Sequence, residues 1–189
     1  MIERLFPDEE VNKVEDITVD YLMKKNIKAL ILDIDNTLSE WNSDPGNNVI
    51  TWLETMKRSE IKLCLVSNNK KIRVEKVGTM LSIHAIHGAL KPRRKAFISA
   101  LTLMGTTALE TAVVGDQIFT DVYGGNRLNM YTIYVRPISE RDTVFIKMKR
   151  PFEKLVLAKF RIKELEHSKR RMAWKEKSGK IKLRRIEGR

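Results

Sequence analysis

Residues 30–38 read Leu-Ile-Leu-Asp-Ile-Asp-Asn-Thr-Leu, and this stretch decides the fold. The apolar run that it continues, Ala29–Leu32, is typical of a strand that is buried on both faces of a sheet. The run stops at two carboxylates, Asp33 and Asp35. An open α/β sheet has its active site outside the carboxyl ends of its parallel strands, so these two acids stand where chemistry is expected.

The two carboxylates also indicate a cation. Acids two residues apart at the end of an apolar strand repel each other unless a cation or a shared proton stabilises them. A hard divalent ion such as Mg2+, which prefers oxygen ligands, suits this pair. A plain turn is the alternative, because turns favour Asp and Asn for conformational reasons alone. The remaining sequence has to decide between the two.

Four further apolar runs alternate with helical patterns along the chain. This alternation predicts an α/β fold with three layers, in which helices cover both faces of a five-stranded parallel sheet. The predicted strands are residues 28–34, 61–66, 83–86, 111–114 and 130–135. Three parts are expected: an irregular charged lead-in and short helix at residues 1–27, the core at 28–146, and a basic amphipathic helix and tail at 147–189.

The positive charge is concentrated in the last part. Residues 1–146 hold 19 Lys/Arg and 19 Asp/Glu, whereas residues 147–189 hold 17 and 5. A helix is predicted over about 151–171, with a polar, disordered tail after it. Such a basic end indicates a polyanionic partner, namely acidic phospholipid, nucleic acid or the ribosome. The alternative is a solvated tail that only aids solubility.

The composition of the chain indicates where in the cell the protein is expected to be. The single cysteine, Cys64, lies in an apolar run and has no disulfide partner in the chain. The amino end carries acids early and has no long apolar stretch, unlike a secretory signal. No stretch approaches the ~20 apolar residues that cross a bilayer. We therefore expect a cytoplasmic protein, with contact to the inner face of the membrane as an option.

Four predicted strands end in different polar side chains. The carboxyl ends of parallel strands lie side by side, so these groups should converge. Together they suit phosphoryl transfer, in which one carboxylate attacks, a second moves protons, and a lysine and a hydroxyl hold the phosphoryl oxygens. A third carboxylate can complete a metal site. In strand order, the groups are Asp33 and Asp35, then Ser67 and Asn68, then Lys91, then Asp116 and Asp121.

These motifs resemble a known superfamily. D-I-D-N-T-L, V-S-N-N, the lysine of A-L-K-P and G-D-Q-I-F-T-D are similar, in order, to motifs one to four of the haloacid dehalogenase (HAD) phosphohydrolases. Within them the chain looks most like the capless YqeG family of subfamily IIIA, which is similar to the phosphatidylglycerophosphate phosphatases of mitochondria and plastids. The resemblance implies a Rossmann-like HAD fold.

The resemblance also implies roles. Asp33 would be the nucleophile that forms an aspartyl-phosphate, Asp35 the general acid and base, and Lys91 the group that neutralises the phosphoryl charge. Thr37 would support the turn and Ser67 would bind the phosphoryl group. The implied Mg2+ site comprises Asp33, Asp35 through its backbone carbonyl, Asp116, and Asp121 in support.

Two further residues are open. Asn68 either contacts the substrate phosphate or only shapes its turn. Arg94 either binds a second phosphate or a lipid headgroup, or lies on a solvated helix face.

The substrate is expected to be large. The two places where related enzymes insert a cap domain hold roughly a dozen residues each, too few for a domain. An open site suits a lipid, a protein or a nucleic-acid end. The resemblance implies hydrolysis of phosphatidylglycerophosphate to phosphatidylglycerol, with the basic tail in peripheral membrane contact. The alternatives are a phosphatase acting on a phosphoprotein or nucleic-acid end, and a ribosome- or RNA-associated protein that only retains the fold.

Overall fold

Six parallel strands form a single sheet in the computed structural model of the protein, which describes residues 2–139 and 151–166. All neighbouring strands run parallel, in the order β1-β6-β5-β2-β3-β4. The strands are β1 (Glu9–Val11), β2 (Ala29–Leu32), β3 (Lys62–Val66), β4 (His84–Ile86), β5 (Thr111–Gly115) and β6 (Tyr131–Val135).

Strand β2 is buried on both faces, as its apolar run predicts. Leu30 and Leu32 belong to the core on one side of the sheet, and Ala29 and Ile31 belong to the core on the other. The alternation follows from the two-residue period of a strand. A continuous apolar run in the sequence therefore marks a central strand rather than an edge strand.

Helices cover both faces of the sheet, which confirms the predicted three-layer α/β fold. The first three helices contribute to the larger core and the fourth to the smaller one. A π-helical turn leads into the fifth helix. The elements are α1 (Val19–Lys24), α2 (Asn47–Arg58), α3 (Lys71–Leu81), α4 (Arg94–Met104), the π-turn (Ile118–Val122) and α5 (Tyr123–Asn126).

The sheet has six strands, so the predicted count of five was wrong by one. The extra strand, β1, lies in the lead-in that we expected to be irregular. It pairs with β6 at the edge of the sheet, Glu9 opposite Ile133. Its sequence, Glu-Glu-Val, has no apolar run or alternation to reveal it, and all three residues are half-buried. Residues 9–11 therefore form a strand because they pair with β6 and not because of their own sequence pattern.

The order of the strands places the site. After β2 the chain adds β3 and β4 on one side, and it then crosses to place β5 and β6 on the other. This reversal leaves a crevice at the carboxyl ends of β2 and β5, where ligands bind in open α/β sheets. Asp33 directly follows β2 and Asp116 directly follows β5.

Nothing larger than a loop follows β2 or β3. Residues 33–46 join β2 to α2, and residues 67–70 join β3 to α3. Neither connection contains a cap domain. We call residues 39–46 the flap.

A helix occupies residues 151–166, in the part of the chain where a basic helix was predicted over about 151–171. The contacts divide the chain between Glu153 and Lys154. The predicted boundary between residues 146 and 147, residues 167–171 of the helix, and the predicted tail lie outside the described residues. Among the described helices, none has the length and apolar character needed to span a membrane.

Candidate active site

Lys91 lies between two carboxylates at the carboxyl edge of the sheet. Its Nζ atom is 2.7 Å from Oδ1 of Asp33 and 2.6 Å from Oδ1 of Asp121. All three side chains are buried. Burying charges is unfavourable unless they are paired, so this lysine and these acids depend on one another.

A third acid completes the cluster. One carboxylate oxygen from each of Asp33, Asp116 and Asp121 lies within 4.8 Å of the others. Asp116 follows β5, and Asp121 lies on the π-turn that bends back over the end of that strand. Three buried carboxylates outnumber the one lysine, so they retain a net negative charge. A set of hard oxygen donors in this arrangement fits Mg2+.

Gly115 makes the close approach of Asp121 possible. A Cβ atom at position 115 would lie 2.6 Å from Oδ2 of Asp121, closer than non-bonded atoms approach. The same oxygen accepts hydrogen bonds from the Gln117 backbone N–H at 3.2 Å and from the Thr120 hydroxyl at 3.3 Å. Glycine at position 115 therefore has a steric role in the motif G-D-Q-I-F-T-D, beside the chemical role of the acids.

The pKa values of the cluster reflect this crowding. Burial raises the pKa of the Asp33 carboxyl to about 7, with Lys91 opposing the rise and the charges of Asp121 and Asp35 adding to it. For Lys91, burial works against the charged form, but the attraction of Asp121 and Asp33 outweighs it and raises the pKa above the ordinary value. Lys91 is thus a permanent cation beside Asp33.

Asp35 has a different environment from Asp33. Its Oδ2 accepts a hydrogen bond from the Asn69 side-chain amide at 2.9 Å, and its Oδ1 accepts one from the Asn42 backbone N–H at 3.2 Å. Arg73 approaches the same Oδ1, with Nη2 at 3.5 Å. The Asp35 carboxylate is therefore held by donors from α3, from the loop before it and from the flap, whereas Asp33 contacts Lys91.

Arg73 also ties the flap to α3. Its guanidinium donates to the Ser39 hydroxyl at 3.2 Å and to the Ser43 carbonyl, and it pairs with Asp44 at 3.2 Å. The side chain is largely buried. A bidentate, planar cation suits this role because it can bind several oxygens in a fixed geometry.

The loop after β3 contacts both the segment that carries Lys91 and the Asp35 carboxylate. Asn68 accepts a hydrogen bond from the backbone N–H of Lys91 through Oδ1 at 2.7 Å, so it holds the segment that carries the lysine. The Ser67 hydroxyl is buried and accepts from the Asn69 backbone N–H at 3.1 Å. Asn69 in turn contacts Asp35.

The last two predicted residues differ in exposure. Thr37 is buried in the turn after β2, where its N–H donates to the Ile34 carbonyl at 3.3 Å. Its hydroxyl has no hydrogen-bond partner among the described residues. Arg94 is the first residue of α4 and is exposed.

Comparison with known proteins identifies the family. A model of the HAD-hydrolase-like family matches residues 89–146. The probable phosphatase YqeG of Bacillus subtilis (strain 168) is 40% identical over 162 residues, which cover 84% of this chain and 93% of that protein. The chain belongs to the YqeG family of the HAD superfamily. It is accordingly a phosphatase of the phosphoric monoester hydrolase class.

Two solved structures are similar to parts of this YqeG-family chain. An uncharacterised protein from Listeria monocytogenes serotype 4b has a TM-score of 0.50 and 18% identity, over 62% of this chain and 85% of that one. The cobalt-bound deoxy-D-mannose-octulosonate 8-phosphate phosphatase YrbI from Haemophilus influenzae has a TM-score of 0.49 and 17% identity, over 72% and 90% of the two chains.

The site contains two functional candidates in this YqeG-family chain that the sequence analysis did not select. The sequence analysis assigned no role to Arg73, and it included Asn69 only within the motif V-S-N-N. Both hold the Asp35 carboxylate. Their distance from Asp35 along the sequence does not indicate these contacts, because the contacts depend on how the flap packs against α3. An arginine in the first turn of a helix that follows a motif strand is the only available signal.

Proposed function

We propose that the protein is a Mg2+-dependent phosphatase that acts through an aspartyl-phosphate on Asp33 and hydrolyses phosphatidylglycerophosphate to phosphatidylglycerol. The observation that carries the proposal is the buried cluster in which Asp33 contacts Lys91 at 2.7 Å, beside Asp116 and Asp121. A carboxylate held against a permanent cation and two further acids suits a nucleophile whose target is a phosphoryl group.

In the first half of the reaction, a carboxylate oxygen of Asp33 attacks the phosphorus atom and the bond from phosphorus to the ester oxygen breaks. Asp35 donates a proton to the departing alcohol oxygen. The products of this half are the free alcohol and an acyl phosphate on Asp33. The donors around Asp35, namely Asn42, Asn69 and Arg73, hold its carboxyl group in position for the transfer.

In the second half, Asp35 removes a proton from a water molecule, which attacks the same phosphorus atom. The bond from phosphorus to the Asp33 oxygen breaks, so inorganic phosphate leaves and both aspartates return to their starting state. Lys91 and the Ser67 hydroxyl stabilise the equatorial phosphoryl oxygens in both halves. Mg2+, held by Asp33, Asp116 and Asp121, supplies further positive charge to the phosphoryl group when bound.

The open site supports a substrate that is part of something large. The connections at residues 33–46 and 67–70 contain no cap domain that would enclose a small molecule. Exposed cations, Arg93, Arg94 and Lys95, follow the catalytic lysine in the chain. Phosphatidylglycerophosphate, an anionic lipid with a terminal phosphate monoester, matches both features and the family resemblance of the four motifs.

Phosphate release from phosphatidylglycerophosphate in mixed micelles tests the proposal. The full chain should release phosphate in Mg2+ and lose this activity in EDTA, and Asp33→Asn should be inactive while remaining folded. A matched control is Asp20→Asn, which removes an exposed acid of α1, outside the motifs. Turnover of p-nitrophenyl phosphate without release from the lipid would keep the chemistry and contradict the substrate, which would favour a protein or nucleic-acid phosphate.

A further inference from the structure

Two loops at the carboxyl edge of the sheet lie side by side next to the active site. The backbone N–H of Gly88 donates to the Asn69 carbonyl and that of Ala89 to the Ser67 carbonyl, both at 3.0 Å. The Lys91 N–H bond to Asn68 adds a third connection. We call the surface formed by residues 68–72 and 87–95 the basic rim.

The basic rim exposes two large aliphatic side chains. Ile72, in the first turn of α3, is 85% exposed, and Leu90, which precedes the catalytic lysine, is 60% exposed. Leu90 also adopts a left-handed backbone conformation, with φ of 52°, in which glycine or asparagine is less strained. Neither burial among the described residues nor backbone preference favours a leucine here, so its side chain is available for contact with a partner.

The charged residues of the two segments that form the basic rim are all cations. The two segments of the basic rim contain no Asp or Glu. Their exposed cations are Lys70, Lys71, Arg93, Arg94 and Lys95. Lys71 has a single distant acidic neighbour, Glu75 at 3.7 Å on the exposed side of α3. Exposed aliphatic side chains within a field of cations are complementary to an anionic bilayer, whose headgroups attract the charges and whose interface accepts the apolar groups.

We infer that the basic rim docks the catalytic site on an anionic phospholipid bilayer, with Ile72 and Leu90 entering the interface. The inference deepens the proposed function and rests on it, since a lipid phosphatase must bring its site to the headgroups. Nucleic acid is disfavoured as the occupant, because single strands are bound by aromatic stacking and the rim offers aliphatic side chains instead. The inference places a membrane contact on the body of the protein, in addition to the one expected of the basic tail.

A fluorescent label on the rim tests the inference without any turnover. Cys64 is fully buried, and burial raises the pKa of its thiol to about 12, so an added surface cysteine can be labelled selectively. The full chain would carry a polarity-sensitive nitrobenzoxadiazole label at Ile72→Cys. The matched control is Leu109→Cys, which is 76% exposed but lies before β5, at the opposite edge of the sheet.

On addition of phosphatidylglycerol vesicles, the label at position 72 should shift to shorter wavelength and brighten, while the label at 109 should not. Neutral phosphatidylcholine vesicles should give no shift, and salt should reverse it. The inference is overturned if the protein sediments with anionic vesicles while the label at 72 stays in water, because another part of the chain would then carry the binding. It is also overturned if only RNA, and no vesicle, binds.

A second set of variants measures the strength of docking. Ile72→Ser and Leu90→Asn should each lower binding to phosphatidylglycerol vesicles about tenfold, because each removes a side chain that enters the interface. Asparagine tolerates the left-handed conformation at position 90, so its fold should be retained. Leu109→Ser should bind as the native protein does. Equal binding by all three variants would contradict the inference.

The outcomes separate the inference from the proposed function. Vesicle docking through position 72 without phosphate release from phosphatidylglycerophosphate would retain the rim and reject the proposed substrate. Phosphate release from that lipid with no shift of the label at position 72 would retain the function and reject the rim.

Discussion

The two aspartates of the first motif differ in their neighbours, and the proposed function gives them different roles. Asp33 contacts Lys91 within a cluster of acids, whereas Asp35 accepts hydrogen bonds from Asn69 and from the flap. Carboxylates in different environments can perform different steps at one pH, one as nucleophile and the other as proton donor. The environment, rather than the residue type, therefore distinguishes the two positions.

Arg73 is predicted to be a positioning residue for Asp35. Arg73→Ala should lower kcat for an alkyl phosphate by about 10- to 100-fold, within the range of general-acid catalysis. It should lower kcat for p-nitrophenyl phosphate far less, because nitrophenolate leaves without a proton. Steady-state kinetics with the two substrates measure the contrast. Lys76→Ala, which loses only the surface pair with Asp44, is the matched control.

Arg73→Lys should recover part of the loss, since a cation remains but the fork that binds several oxygens does not. An equal decrease in kcat for both phosphates in Arg73→Ala would contradict this role and indicate a general loss of structure.

The sequence could indicate Asp33, Lys91 and Asp116 because each stands at or near the end of a strand, and parallel strands bring such ends together. It could not indicate the contacts of Arg73. Those contacts depend on the path of the flap, where Asn42 adopts a left-handed backbone conformation. The flap has no helical or strand periodicity in its sequence from which this path could be predicted.

At the scale of elements, the π-turn after β5 is held close to the strand by the absence of a side chain at Gly115. Gly115→Ala should displace Asp121, because the added Cβ would lie 2.6 Å from its Oδ2. We expect at least a tenfold fall in kcat, within the effect of removing one electrostatic contact from a site, together with weaker stabilisation by Mg2+. Phosphatase assays and thermal unfolding check both.

Gly46→Ala is the control for that substitution, since a Cβ there meets nothing within 4 Å and its φ of −74° suits any residue. Native activity and native Mg2+ response in Gly115→Ala would contradict the steric explanation.

The central strands of the sheet were predictable because burial on two faces leaves continuous apolar runs such as Leu63–Val66. Strand β1 was not, because an edge strand of three half-buried residues satisfies its backbone by pairing with β6 and needs no apolar pattern. The sequence of β6 likewise gave no indication that a further strand, β1, pairs with it.

At the scale of the whole molecule, the acid cluster links metal binding to stability. Three buried carboxylates beside one lysine repel each other, so a divalent cation that binds only the folded protein should stabilise it. At a Mg2+ concentration 100 times the Kd, the gain is about 2.7 kcal/mol. For a chain of this length, that gain raises Tm by roughly 5–10 °C.

Thermal unfolding with and without Mg2+ measures this effect. Asp116→Asn should abolish the increase in Tm, and Asp20→Asn should keep it. An increase in Tm that persists in Asp116→Asn would place the bound cation elsewhere in the chain.

The central claim is that Asp33 forms the covalent intermediate, and trapping that intermediate tests it most directly. Asp35→Asn should still react with p-nitrophenyl phosphate, whose leaving group needs no proton, but should hydrolyse the acyl phosphate slowly for lack of a base. Rapid quenching, borohydride reduction and peptide mass spectrometry would then find homoserine at position 33. Turnover with an unmodified Asp33, or modification at another residue, would contradict the account.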